Sequence, residues 1–489
     1  KDLFCTTDGN RKGYCTPELY EGTSAVLYRN RQDGTFQEAT TGSGFEAMTG
    51  KTLGMAMLDV NSDGLPDVVV ANDTDPDQLF VNLGNGVFKE SGVASGMAFD
   101  ERGRARAGMG IDAGITDNGD QQSVFVGNFS DEMIGVYRHL RGTSFIDRSA
   151  GSGIGQPSIL TLAFGLKLTD VNLDGYLDVF VANGHVEETV ELVRDNVFYR
   201  QRPHLFISDG QGGFTDQADE AGFEAYVGRA AAAGDIDGDG KVELVTTDRG
   251  EKRMSIDALT GSDLDNLASL TNEYLDTENL LGGGVYDVDI ADTDRDGKHE
   301  VWVNTWDNFS MAIFEATGPN TYVLAADING IFSADNDPGS FNRTGFAFSD
   351  VDNDNDHDAW FPMTNGKLYY FDNPSLDSIA PNVIANGGVD GGTAGWSFYP
   401  DNHGITVATN GDTLLFNTDT LITFAASVGD SALMIPHIGD ATENNAFFLY
   451  TGDNALSEGL QFYASAHVIV GSPTTTAASG TATLFAKYF

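Results

Sequence analysis

Short apolar bursts such as VVVAN (68–72), VFVGN (124–128), VFVAN (179–183) and LVTT (244–247) recur along this chain, each framed by polar, glycine-rich turns. Runs this short and this rich in β-branched residues predict buried strands rather than helices. Upstream of each burst lies a second pattern, built from small residues: GMAMLD, GMGIDAG, FGLKLTD, RAAAAGD and TGFAFSD. Downstream come hairpins, as in QLFVNLGNGVFKES (78–91) and HLFISDGQGGFTDQ (204–217), whose Asn-Gly and Gly-Gly turns favour tight reversal.

Between the small-residue run and the burst stands one nine-residue phrase with acidic or amide side chains at positions 1, 3, 5 and 9. Its five copies supply Asp59, Asn61, Asp63 and Asp67; Asp170, Asn172, Asp174 and Asp178; Asp235, Asp237, Asp239 and Glu243; Asp292, Asp294, Asp296 and Glu300; and Asp350, Asp352, Asp354 and Asp358. Alternate residues of a tight loop turn their oxygens toward one point, and a hard divalent cation needs about six or more oxygens. Gly64, Gly175, Gly240 and Gly297 at position 6 permit the sharp turn, and no Cys or His occupies a ligand position, which argues against softer metals. The phrase therefore predicts about five Ca2+ sites. Position 12, the bidentate Glu of an EF-hand, is here Val70, Val181, Thr246, Val303 and Phe361, so these loops join strands. A metal-free Asp/Gly-rich turn is the bland alternative, which five copies at the same offsets disfavour. A sixth copy, Ile115–Ser123, carries Ile115, Gly119 and Ser123 at three ligand positions and is expected to stand without metal.

Loop starts at 59, 115, 170, 235, 292 and 350 recur every 55 to 65 residues, which leaves room for about four short strands per repeat. That is the blade of a β-propeller, with the small-residue strand innermost, where strands crowd the axis. AVLYRNRQDGTFQEAT (25–40) lacks an upstream partner and reads as the outer half of a further blade. Six units plus this half predict an all-β, seven-bladed propeller over residues 25–380, closed by pairing N-terminal strands with a segment after Asn373. Residues 373–395 are rich in Gly, Asn and Pro, and beyond them the composition shifts to Thr, Ala, Ser and Gly, with Lys487 the sole Lys or Arg after Pro381. Alternating segments such as TLLFNTDTLITF, NAFFLYTG and LQFYASAHVIVG predict a C-terminal all-β, sandwich-like domain over 381–489. A competing assignment gives residues 395–417 to the inner half of the seventh blade.

The acidic loops followed by apolar strands resemble the FG-GAP/VCBS repeats that also build integrin α-subunit propellers. YRNRQDGTFQEAT, DVNSDGLPDVVVAND, DERGRARAGMGIDAG, DVNLDGYLDVFVANGH, YRQRPHLF and VGRAAAAGDIDGDG resemble the UnbV and cartilage acidic protein family of secreted propellers, over residues 14 to 250. The resemblance implies a secreted, calcium-loaded propeller acting mainly in adhesion and matrix contact. It implies no enzyme mechanism, and the family's C-terminal domain has no counterpart here.

Net charge is −46, and the five loops place 18 of the 73 acidic residues at ligand positions. Such a surface makes nucleic acid and anionic membranes poor partners. With 31 Phe and 16 Tyr, the chain has a large core to bury, which argues against disorder. Cys5 and Cys15, in an N-terminal segment over residues 1–24, are expected to form a local disulfide suited to an oxidising compartment; a pair of free thiols is the alternative. A first residue Lys1 rather than Met predicts a removed signal peptide or a longer precursor. No apolar stretch approaches ~18 residues, so no membrane span is expected.

Catalytic signatures such as H-E-x-x-H and G-x-S-x-G are missing, so no enzyme is expected. Lys51, Arg106, Arg229 and Arg343 lie six to nine residues before a loop start and are expected to ring the channel mouth. There they either attract a carboxylate or sulfate, or pair with a neighbouring blade. His299 and His357, at position 8, are expected to face solvent, and His185 precedes an insertion that could carry a helix. Asn72, Asn128, Asn308 and Asn342 open N-x-S/T triplets that permit glycosylation. The resulting expectation is a secreted or cell-surface calcium-binding propeller in adhesion, with an extracellular protein, a glycan or further copies of itself as partner. Two alternatives stay open: a filament subunit assembled through terminal strands or the C-terminal domain, and a polysaccharide lyase or hydrolase on a calcium propeller.

Overall fold

The computed structural model describes residues 5–6, 13, 15–31, 36–119, 121–259, 270–275, 285–293, 297–305, 311–328, 345–351, 357–362 and 368–371, and seven strands beyond residue 405. The chain divides into two compact units, the first being Lys1–Asp292, Asp296–Ala347 and Trp360–Tyr369, the second Thr293–Arg295, Phe348–Ala359 and Tyr370–Phe489.

Strands β1 (Tyr28–Asn30) and β2 (Phe36–Glu38) form a hairpin. Four-stranded antiparallel sheets follow in chain order. The first contains β3 (Thr52–Leu58), β4 (Asp67–Asn72), β5 (Gln78–Asn82) and β6 (Phe88–Glu90). The second contains β7 (Gly108–Gly114), β8 (Ser123–Asn128), β9 (Gly135–Arg141) and β10 (Ser144–Asp147). The third contains β11 (Ala163–Thr169), β12 (Asp178–Asn183), β13 (His204–Ser208) and β14 (Phe214–Asp216). The fourth contains β15 (Gly228–Gly234), β16 (Glu243–Asp248), β17 (Arg253–Leu259) and β18 (Leu270–Leu275). The fifth contains β19 (Val285–Ala291), β20 (Glu300–Thr305), β21 (Met311–Gly318) and β22 (Thr321–Ile328). A three-stranded sheet, β23 (Ala347–Ser349), β24 (Asp358–Pro362) and β25 (Leu368–Phe371), comes next.

Each apolar burst is the second strand of its sheet and is buried on both faces, because sheets stack on both sides of it. Leu58, Val69 and Leu79 pack with Val124, Val126 and Tyr137 of the next sheet. In turn Phe125 and Val136 pack with Val179 and Phe206, and Phe180 and Leu205 pack with Ala231 and Leu244. Val245 and Ile256 then meet Val288, Val301 and Phe314. The core is thus a series of clusters between consecutive sheets, the layout of β-propeller blades. Truncating the fully buried Phe180 or Phe206 to Ala would cost about 3 to 5 kcal/mol.

The small-residue strands lie innermost, as their composition predicts. A Cβ on Gly110 would collide with the Phe164 carbonyl, and one on Gly165 with the backbone of Ala230 and Ala231. All five inner strands of the four-stranded sheets shift register after their first residue, as at Gly108/Ile111 and Val285/Val288, which marks a β-bulge repeated around the axis.

In the second unit, β26 (Thr406–Thr409), β29 (Ser431–Pro436), β30 (Ala446–Tyr450), β31 (His467–Ser472) and β32 (Thr475–Thr481) form a five-stranded antiparallel sheet in that order. A separate hairpin joins β27 (Thr413–Phe416) to β28 (Thr420–Thr423). Strands β26 and β27, the described parts of residues 395–417, therefore pair with C-terminal partners. Cys5 and Cys15 are bonded to each other. Among the described residues, no helix is long and apolar enough to cross a membrane.

Candidate metal centres

The acidic loops connect the first strand of a sheet to the second, as their spacing predicts. In the loop from Asp59, the carboxylate of that residue accepts the N–H groups of Asp63 (3.1 Å) and Gly64 (2.8 Å), and Asp63 Oδ1 accepts Leu65 N–H (2.8 Å). Asn61 donates its amide to Asp63 Oδ2 at 2.8 Å. The loop from Asp170 repeats this pattern through Asn172, Asp174, Gly175 and Tyr176. Gly64, Gly175, Gly240 and Gly297 all have φ between +81° and +92°, the left-handed turn that position 6 requires.

Among the described residues, the third loop gathers charge most tightly. Oxygens of Asp235, Asp237 and Asp239 lie within 4.8 Å of one another. Asp235 Oδ1 is buried and has no hydrogen-bond partner. Three carboxylates at this separation repel one another, and a buried lone pair without a donor is unfavourable. An all-oxygen cluster of this kind fits a hard cation, which would satisfy both demands.

Position 9 is fully buried, and its carboxylate holds the loop shut. Asp67 accepts the N–H of Val60 (2.9 Å) and Asn82 (2.6 Å), and Asp178 those of Val171 (3.1 Å) and Ser208 (2.8 Å). Glu243 accepts from Ile236 (2.8 Å) and Asp358 from Val351 (2.8 Å). Burial, opposed by these donors and reinforced by the neighbouring loop carboxylates, pushes Asp178 and Glu243 up to about 7. In the fourth loop Asp292 accepts from Gly297 and Glu300 is buried. Asp350 is exposed; Asp294, Asp296, Asp352, Asp354 and Arg343 lie outside the described residues.

The sixth copy is held by other means. Asp117, at its position 3, pairs with Arg138 on β9 at 2.5 Å and accepts Gly119 N–H at 2.8 Å. The loop is tied to the third sheet by Asn118 N–H to the Gly210 carbonyl and by Ser208 Oγ to the Thr116 carbonyl.

The three described cations expected at the channel mouth are engaged. Lys51 pairs with Asp75 at 2.6 Å. Arg106 is buried, pairs with Asp147 at 2.9 Å and donates to Tyr137 Oη at 3.0 Å. Arg229 donates to the carbonyls of Gly184 and His185 and stacks over Phe164 at 4.4 Å. His299 does not face solvent as its loop position predicts: its Nδ1 lies 3.0 Å from the Asp235 carbonyl oxygen, in the preceding loop. His185 is buried, accepts Glu187 N–H on Nδ1, and is pushed down by burial. The insertion after it carries a single 3-10 turn, Val190–Leu192. His204 stands between Asp216 (2.7 Å) and Thr161 (3.1 Å), but the Thr161 hydroxyl donates to the Ser158 carbonyl. Asn72 and Asn128 are buried, which closes both to glycosylation of the folded chain.

One repeated feature escapes a reading focused on the acidic phrase. Thirteen residues after a loop start stand Asn72, Asn128, Asn183, Asp248 and Thr305, each ending a second strand. The three amides donate to loop carbonyls at Pro76, Met133 and Arg202 and so fasten the crossing to the third strand.

The FG-GAP-like repeat family matches residues 1–70, 59–114 and 170–246. Cartilage acidic protein 1 of Xenopus tropicalis is 26% identical over 165 residues, which are 32% of this chain and 25% of that protein. The match thus spans about a quarter of the relative's length. Among solved structures, an Agrocybe aegerita lectin recognising non-reducing terminal N-acetylglucosamine is 14% identical, with a TM-score of 0.45 over 72% of this chain and 89% of the lectin. A Penicillium chrysogenum α-L-arabinanase bound to arabinobiose is 11% identical, with a TM-score of 0.35 over 62% of this chain and 86% of the enzyme.

Proposed function

From a chain that carries FG-GAP-like repeats, we propose a secreted, calcium-binding β-propeller that works without catalysis in extracellular adhesion or surface contact. The observation that carries this reading is the third loop, where three carboxylates converge and one buried oxygen lacks a donor. Calcium there neutralises the cluster and fixes the turn between two strands. Loops of this ligand type bind calcium at about 0.1 to 1 mM, a level met outside cells rather than in cytosol. The Cys5–Cys15 bond and the similarity to a cartilage acidic protein support the same compartment. In such a module the loops stiffen the sheets, and the partner, an extracellular protein or glycan, contacts the exposed surface.

Calorimetric titration of calcium into the chelator-stripped full chain tests the reading. Uptake of about five ions with affinity near 0.1 to 1 mM is expected. Absence of binding heat, with identical melting in calcium and in chelator, overturns it.

A further inference from the structure

The inner strands follow a strict rule that one sheet breaks. Five residues before each loop start stand Gly54, Gly110, Gly165, Ala230 and Gly345, but Asp287 in the fifth sheet. A Cβ on Gly345 would collide with Asp287 Oδ2, so the carboxylate fills room that glycine leaves. Two positions further on, Ala56, Ala232 and Ala347 have Lys167 and Asp289 as their counterparts in the third and fifth sheets. Asp112 shares that level and accepts the N–H groups of Ala113 and Leu168, as Asp289 accepts that of Ile290. Gly or Ala fills the first level in five of the six sheets and the second level in three, so packing does not demand charge at either.

Lys167, Asp287 and Asp289 line one cavity of about 310 Å3, together with Tyr286, Phe346 and Phe164, whose ring Arg229 covers on one face. Leu53 and Met55 also border it and are 57% and 62% exposed, so it communicates with solvent. Burial pushes both carboxyls up, Asp287 to about 7, and the Lys167 ammonium opposes the rise.

We propose that this cavity binds one neutral pyranose unit of a glycan, its vicinal hydroxyls bridging the Lys167 ammonium and the Asp287 and Asp289 carboxylates, its C–H face against the aromatic rings. The proposal rests on the reading of the chain as an extracellular interaction module and names the class of ligand. A hydroxyl donates to a carboxylate and accepts from an ammonium at once, so a diol enters without separating the internal charges. Arg229, the other cation in the lining, is taken up by the Gly184 and His185 carbonyls, so a uronate would bring a third carboxylate beside two. The volume, at the small end of ligand sites of about 300 to 1,000 Å3, suits a single sugar unit.

The test titrates the calcium-loaded full chain with the methyl glycosides of glucose, galactose, mannose and N-acetylglucosamine, and with methyl glucuronide and alanine, by saturation-transfer NMR and calorimetry. At least one neutral glycoside is expected to bind, and Asp287→Ala and Lys167→Met each to weaken it about tenfold or more. Asp287→Ala installs a residue that another repeat already carries there, so this variant keeps its fold. The proposal falls if no neutral glycoside binds, if glucuronide or alanine binds in its place, or if both variants bind as the natural chain does. Adhesion to a glycan-coated surface that persists unchanged in Asp287→Ala would overturn the cavity site alone. Loss of calcium binding and adhesion together would overturn the interaction-module reading as well.

Discussion

The loops Asp235–Glu243 and Ile115–Ser123 occupy the same place in consecutive-sheet architecture and handle charge in opposite ways. Both keep an aspartate at position 3, Asp237 in one and Asp117 in the other. Around Asp237 stand two more carboxylates, whereas Asp117 meets a guanidinium. Strand register explains the choice. Ser123, at position 9 of the damaged copy, pairs across with Arg138, while Glu243 at the same position pairs across with Ala258. A small residue at position 9 leaves room for a long cation from the third strand, and a large acid with a small partner leaves room for an ion. The Ile115–Ser123 loop thus takes its positive charge from its own chain, whereas on the calcium reading proposed above the Asp235–Glu243 loop would take it from the medium.

That contrast can be broken most forcefully by chelation. Removing calcium is expected to lower the melting temperature by about 10 °C or more, since several ions each contribute on the order of a few kcal/mol at millimolar concentration. Hydrogen exchange sharpens the result: amides of β16 should lose protection in chelator while those of β8 keep theirs. Equal loss in both strands would show that the two loops do not differ. A smaller effect is expected from Arg138→Met, which leaves the Asp117 carboxylate largely buried without its partner. Denaturant unfolding should report a loss of about 1 to 3 kcal/mol, the same in calcium and in chelator. A loss confined to the calcium-loaded chain would refute the guanidinium's role.

The smallest effect concerns a carboxylate outside the loops. Asp77 is buried, accepts Asn72 N–H at 2.9 Å, and is pushed up by burial from its ordinary 3.8 to about 7. Its raised folded value means that its contribution is full below about pH 4 and is lost as pH rises through about 7. Asp77→Asn stays neutral throughout, so the natural chain should lose stability relative to this variant between pH 4.5 and 7.5, by about a few degrees of melting temperature. A difference that does not change over this range would show that Asp77 carries no such shift.

Much of this architecture was legible in the chain. Gly64 and its counterparts announced the turn, the β-branched bursts announced the second strands, and Gly110 and Gly165 announced close packing at the axis. Position 9 was less legible, since Asp67 or Glu243 looks the same in sequence whether it faces an ion or caps Val60 and Ile236. Arg138 was out of reach for a different reason: its partnership with Asp117 depends on the register of a hairpin 15 or more residues downstream. The cations Lys51, Arg106 and Arg229 precede their loops in sequence, but spacing along a chain does not reveal which carboxylates and carbonyls converge on them. Lys167 and Asp287 become conspicuous once the six inner strands are aligned on their loops and compared level by level.

The fastening of one loop to the sheet that follows has a consequence for how the molecule responds to its medium. Asp237 accepts the Asn320 N–H at 2.7 Å, from the outer turn of the fifth sheet, and His299 reaches the Asp235 carbonyl from that same sheet. An ion bound in the third loop would therefore also order its neighbour's rim. On the calcium reading proposed above, occupancy of the third loop would raise the affinity of the fourth, and by reciprocity the fourth that of the third. On that reading the two turns would loosen together as calcium falls.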